Sequence, residues 1–468
     1  MKRLLFIIAG VAGVAGVGLV ALAGGAALGE KQAPPAAGPP RPLPHPELTT
    51  FELPNHLKVT LVPHGDVPKV TVEVTLRSGT VDESDGELGL ASATGELLQQ
   101  GTTSRDAATL AREAAKMGGE LQVGVTADET FMGTDVLGEF APDAVKLVAD
   151  LVEHPAFPDS ELPRLKTDAA REVAIARSQP QTLAAEKLRG LLYPGHPYGH
   201  PLPSPEQIQA VTVEQIRKFH AEHYVAGRAH LYVAGRFDAA AVEQAVRAAF
   251  GEWSEGTPAR PNLPKPTATR SVHLVDRPGA VQSTVILAVP VPDLTQPDWI
   301  AQEVANSLLG GSFASRITSN IREKHGYTYS PRSFIQQYDH VAHWAEFADV
   351  TTAVTGPALK EIFGEIDRLG KTAPPAAELR AIQTYVAGTF ALQVATRDGI
   401  VRFLDLVDFH GLPPDTLDTY VQRVMAVTPE DVRRIVKKNL DPAHMTLVVL
   451  GDEKVVRKQL APFGKIQK

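Results

Sequence analysis

The chain has 468 residues, 43% of them apolar and 21% charged, with a formal net charge of −8 and no cysteine. That length gives about two to four domains of ordinary size with ample chain to bury their cores, and the composition is that of a folded protein. A negative balance without a basic run excludes nucleic acid as the principal partner, because phosphate binding draws on clustered Lys and Arg, and the lack of cysteine excludes disulfides and a cysteine-linked lipid anchor.

Met1-Lys2-Arg3 precedes an uncharged apolar stretch from Leu4 to Gly29, the positive start and hydrophobic core of an export signal. The stretch exceeds the roughly 7 to 15 residues of an ordinary signal core and approaches the roughly 20 that span a bilayer. Residues 1–29 are therefore read as a signal peptide, with Ala21-Leu22-Ala23 as a small-x-small cleavage site, or as an uncleaved inner-membrane anchor. Lys2 and Arg3 keep the start of the chain cytoplasmic in either case, which puts the body in the periplasm. Residues 30–46 hold Pro34, Pro35, Pro39, Pro40, Pro42, Pro44 and Pro46 and predict an extended, semi-rigid spacer.

A first half is expected over 47–252. Alternation predicts a strand from Lys69 to Leu76. Asp82-Glu83-Ser84-Asp85-Gly86-Glu87 clusters carboxylates beside a glycine, but position twelve of a calcium loop falls on Ala93 instead of a glutamate, so the segment reads as a solvated connection. Leu90, Ala93, Thr94 and Leu97 then mark the buried face of a helix. Strands follow from Glu120 to Thr126 and Thr130 to Leu137, then a long helix from Ser160 to Arg177. His220-Ala221-Glu222-His223 has two histidines three apart with no third ligand near, so it reads as a structural pair.

Ala210-Val211-Thr212-Val213-Glu214-Gln215-Ile216-Arg217 recurs 216 residues on as Ala426-Val427-Thr428-Pro429-Glu430-Asp431-Val432-Arg433, and each copy leads through a helix into a strand ending in Gly235 or Gly451. The chain is thus a duplication. Residues 253–267, with Pro258, Pro261, Pro264 and Pro266, read as a linker, and the second half as 268–468. Its strand Ser283 to Val289, the stretch Leu309-Gly310-Gly311-Ser312-Phe313-Ala314-Ser315-Arg316, a helix ended by a left-handed Gly326 with a strand from Tyr327, and a helix from Pro375 to Gln393 come in that order. Strands and helices alternate irregularly, which favours two α+β layers over a doubly wound parallel sheet.

Ser92 and Glu96 lie one helical turn apart and project to one side, the geometry of two ligands on one metal. The run Gly89-Leu90-Ala91-Ser92-Ala93-Thr94-Gly95-Glu96 through Gly101-Thr102 resembles the zinc helix of the pitrilysin/insulinase peptidases, in which Gly-Leu-Ala leads into His-x-x-Glu-His and ends in Gly-Thr. The resemblance covers nearly everything from about residue 47 onward and implies two homologous α+β sandwich domains. Ser92 and Glu96 stand at its histidine positions and Gly95 at its general-base position. Counting from Arg171-Glu172-Val173 puts the third ligand position at Gln179. His196-Pro197-Tyr198-Gly199-His200 is similar to a packing loop of that family.

Those substitutions leave no metal on this chain, since a hydrolytic zinc needs about three protein ligands and a water, and the water needs a base. Arg322 and Tyr329 fit the Arg/Tyr pair, seven residues apart, that holds the substrate carbonyl in that family. A guanidinium and a phenol both donate to an oxygen gaining charge. The resemblance therefore implies a non-catalytic subunit of a heteromeric zinc peptidase, with zinc and His-x-x-Glu-His on a partner homologue and extended peptides as substrate. A periplasmic peptide-binding scaffold without a peptidase partner, and a stand-alone peptidase with unrecognised ligands, are the alternatives. Ser312 lacks a serine-hydrolase elbow, and no phosphate loop appears.

Overall fold

The computed structural model describes residues 46–259 and 262–467. The leader expected over 1–29, and all of the spacer but Pro46, lie outside the described residues. Among the described residues no helix is long and apolar enough to cross a membrane.

In the first half, β1 (Thr49–Glu52), β2 (Lys58–Pro63), β3 (Lys69–Leu76), β4 (Leu121–Val125), β5 (Thr130–Leu137) and β6 (Ala229–Gly235) form a sheet ordered β1-β2-β6-β3-β5-β4. In the second, β7 (Ser271–Asp276), β8 (Gln282–Val291), β9 (Arg332–Tyr338), β10 (Val341–Thr351), β11 (Thr446–Gly451) and β12 (Ile466–Gln467) are ordered β12-β7-β11-β8-β10-β9. Each sheet has a parallel pair at the matching place, β2 with β6 and β7 with β11, followed by antiparallel pairs to the far edge. The duplication read from the sequence is thus a duplicated α+β fold. Only the outermost strand differs, because β1 runs antiparallel to β2 whereas β12 runs parallel to β7.

β3 shows why these residues make a sheet. Val70, Val72, Val74 and Leu76 are fully buried on one face against the first core, and Thr71, Glu73 and Thr75 alternate to the other. The Leu90–Leu98 helix is shorter than its motif, and the strand expected from Tyr327 is reduced to one bridge, Thr328 to Val350. Pro331, lacking an N–H, delays pairing until Arg332. Gly326 does take the left-handed conformation, at φ +64°. Trp253, placed at the start of the linker, is instead a core residue of the first half, 5% exposed, with its indole N–H donated to the Tyr224 carbonyl at 3.1 Å. Between Ser254 and Arg270 the described residues carry no helix or strand.

The halves are joined by exchange of equivalent helices. Pro180–Leu192, from the first half, packs Ala184, Leu188 and Leu192 on Ile286, Ala288, Val448 and Leu450 of the second sheet. Arg397–Phe409, from the second, lies over β3 and β6. Its seam is polar: Asp408 pairs with Lys58 at 2.9 Å, Arg77 at 2.9 Å and His230 at 3.3 Å, and Arg397 with Asp135 at 2.8 Å. Burial works to raise the Asp408 carboxyl, but His230, Lys58 and Arg77 outweigh it and hold the group well below its ordinary range. One seam thus supplies apolar burial. The other supplies directional bonds that fix register.

Buried acids make stability fall with pH. Glu73, Glu83 and Glu153 are each pushed up to about 7, chiefly by burial, from an ordinary 4.5. The native state holds these protons longer than the unfolded chain, so their contribution is complete below pH 4.5 and is lost as pH rises through about 7. His220, His343 and His410, pushed down to about 4 by burial, act the opposite way, but only up to their unfolded value of 6.5. Above that the carboxyls act unopposed by these histidines. The melting temperature is expected to fall between about pH 6.5 and pH 8, read by differential scanning calorimetry; a flat or rising profile contradicts this account.

Candidate functional site

A cavity of about 660 Å³ opens beside the Leu90–Leu98 helix. Ser92 and Glu96 are exposed and Gly95 is buried, and all three line it. Its walls come from both halves: Val123, Gly124 and Val125 of β4, and Gln336 and Tyr338 of β9. Both strands are outermost in their sheets at this end, so each has one backbone edge without a strand partner.

The third position read from the sequence is corrected here. Glu172, not Gln179, lines the cavity. Gln179 sits at the junction of the Leu162–Ser178 and Pro180–Leu192 helices. Seven residues are nearly two whole turns, so the two side chains share a face, but the rise carries Gln179 about 10 Å further along the axis. The base position has also closed. A Cβ on residue 95 would lie 2.7 Å from Val125 Cγ2 and 3.5 Å from Val123 Cγ1, so β4 fills the space a glutamate there would need. Among the described residues no group of three or more His, Cys, Asp or Glu is arranged to hold a metal ion. The residues present do not fit the zinc of the motif they resemble, since Ser92 and Gly95 offer neither imidazole nor carboxylate.

Glu83, read from the sequence as part of a solvated loop, is 6% exposed and lines the same cavity. Its carboxylate accepts N–H bonds from Ala91 at 2.8 Å and Gly89 at 3.2 Å, at the start of the zinc-type helix. Burial raises its pKa more than these two bonds lower it. The available signal was a glutamate just ahead of an uncapped helix start, where orphan N–H groups need an acceptor. The histidine clusters are structural. His220 donates Nε2–H to the Val152 carbonyl at 2.7 Å, His196 donates to the Asn262 carbonyl at 2.8 Å, and His200 pairs with Asp85 at 2.9 Å.

Arg322 and Tyr329 meet each other but not this cavity. Arg322 lies in a π-helical stretch, Thr318–Lys324, and its guanidinium carbon is 4.6 Å from the Tyr329 ring centre. The Phe313 ring centre stands at the same 4.6 Å from that carbon. Arg322 Nε also pairs with Glu323 at 3.0 Å. Tyr329 is 78% exposed and Phe313 67%. Neither member of the pair lines the cavity beside Ser92 and Glu96, so within one chain the motif remnant and the Arg/Tyr pair are separate features.

Residues 59–206 match the family model described as insulinase, peptidase family M16, and residues 210–386 match the model of the peptidase M16 inactive domain. An uncharacterized zinc protease of Streptomyces coelicolor is 23% identical over 407 residues, 85% of this chain and 88% of its own length. One from Mycobacterium leprae is 30% identical over 285 residues, 59% of this chain and 63% of its own. The crystal structure of a peptidase M16 inactive domain from Pseudomonas fluorescens superposes with a TM-score of 0.79 at 24% identity, covering 90% of this chain and all of that one. A protease from Helicobacter pylori gives 0.80 at 20%, covering 87% and 99%. The two structures share the fold, and the two models take the sequence through the zinc-type helix, the first copy of the repeat and the Arg/Tyr segment: the chain belongs to the insulinase family of peptidases, M16.

Proposed function

We propose that this chain is the non-catalytic, substrate-binding subunit of a two-chain zinc peptidase that acts on extended peptides in the periplasm. The observation that carries this reading is the contrast between the two features. The ligand positions hold Ser92 and Glu96 and the base position is closed by Val125, whereas the partly buried Arg322 lies 4.6 Å from the ring centres of the exposed Phe313 and Tyr329. A guanidinium and a phenol so placed suit a carbonyl oxygen that gains charge on another chain's metal. The partner is a homologue with His-x-x-Glu-His and the zinc. A peptide laid along a free sheet edge is held by main-chain bonds that tolerate many sequences.

The purified chain alone is expected to retain no zinc and hydrolyse no quenched peptide, and the co-purified pair to do both. Tyr329→Phe in this subunit should lower the pair's kcat about a hundredfold with little change in KM, as for loss of one oxyanion donor. Zinc and turnover in the isolated chain would sink the proposal.

A further inference from the structure

The second half repeats the first half's cavity with different chemistry. In the first half the cavity lies among the Leu90–Leu98 helix, β4 and the Leu162–Ser178 helix. The elements at the same places in the second half are the Trp299–Asn306 helix, β9 and the Ala376–Val394 helix. They line a cavity of about 430 Å³, a size within the range of small-ligand sites. Its walls are aromatic. Trp299, Phe390, Phe403 and Tyr420 line it, all of them buried. The rings brace one another: Phe390 stacks on Tyr420 at 4.0 Å, and Trp299 and Phe403 stand 5.8 and 6.0 Å from Tyr420. Phe334, 36% exposed, and Tyr385, 48% exposed, line it as well and mark its mouth.

Among the described residues one carboxyl lines this space, that of Glu303, and no Lys, Arg or His does. The Tyr420 hydroxyl donates to Glu303, and burial raises the carboxyl above its ordinary range more than that bond lowers it. Arg423 packs on Trp299 at 5.4 Å but does not line the cavity. A carboxyl in such surroundings calls for a proton or a positive partner, and aromatic faces attract a cation. We propose that this cavity binds a small arylalkylammonium ligand, with its ammonium on Glu303 and its apolar body among Trp299, Phe390 and Tyr420. A neutral ligand of that shape gains the ring contacts alone, and an anion meets Glu303 with the wrong sign. The site is independent of the reading of Arg322 and Tyr329 above, because neither residue, nor any of 312–317, lines the cavity.

The test is isothermal titration calorimetry of the full-length chain with three probes of one shape and different charge: phenethylammonium, 2-phenylethanol and 3-phenylpropionate. Phenethylammonium is expected to bind once per chain and about tenfold tighter than the alcohol, the size of one hydrogen bond to a charged group, and the carboxylate not at all. Glu303→Gln keeps the shape of the side chain and a partner for Tyr420, and should bring the ammonium and the alcohol to within about twofold of each other. Thr389 lines the cavity from an exposed position on the Ala376–Val394 helix, so Thr389→Trp leaves the core untouched and should block both probes. No binding of phenethylammonium by the wild-type chain, equal affinity for ammonium and alcohol, or an ammonium preference that survives both substitutions overturns the proposal.

Discussion

Changing Ser92 and Glu96 together to histidine is expected to give a chain that takes up about one zinc ion, held by the two imidazoles and Glu172, where the wild type takes up none. Positions 92, 96 and 172 line one cavity, and the two helices that carry them are in contact. Zinc content after dialysis is the readout. Adding Glu172→Gln should remove the metal, and adding Gln179→Ala should leave it; the reverse would restore Gln179 as the third position. The double variant should still hydrolyse nothing, because position 95 carries no base, and a general base contributes about 10² to 10⁴-fold. Adding Gly95→Glu presses a side chain on Val125 Cγ2 and should cost about 1 to 3 kcal/mol of stability, relieved by Val125→Ala.

Leu188→Ala is expected to destabilise the whole chain by about 2 to 5 kcal/mol, the range for a fully packed leucine. Leu188 is 3% exposed. It belongs to the first half by sequence but packs on Ile286, Ala288, Val448 and Leu450 of the second. Denaturant titration followed by intrinsic fluorescence should therefore show one transition, shifted as a unit. Two separated transitions, only one of them shifted, would mean that the exchanged helices do not couple the halves.

Much of the fold was legible because it depends on local period. β3 and β5 were read to the residue, β3 because Val70, Val72, Val74 and Leu76 alternate with Thr71, Glu73 and Thr75. Gly326 was legible as a helix stop because glycine enters the left-handed region without a Cβ penalty. The candidate site was less so. Counting seven from Glu172 gave the right helix face and the wrong height. Glu83 was lost in a run of acids that looks solvated until the Leu90–Leu98 helix is placed above it. Phe313 and Arg322 are nine residues apart, and Arg322 sits in a π-helical stretch whose wider turns break the 3.6-residue phase used to pair side chains.

By itself the sequence determined the duplication, the α+β class, the family, and the lack of an imidazole at positions 92 and 96 and of a carboxylate at position 95. Each of these is a matter of residue type and period, which burial reads one position at a time. Only the tertiary structure decided that Glu172 faces the cavity, that Val125 has closed the base position, that each half lends a helix to the other's sheet, and that Arg322 lies against two exposed rings. Those facts depend on contacts between residues far apart in the chain, where packing selects one arrangement among many that the same local pattern permits.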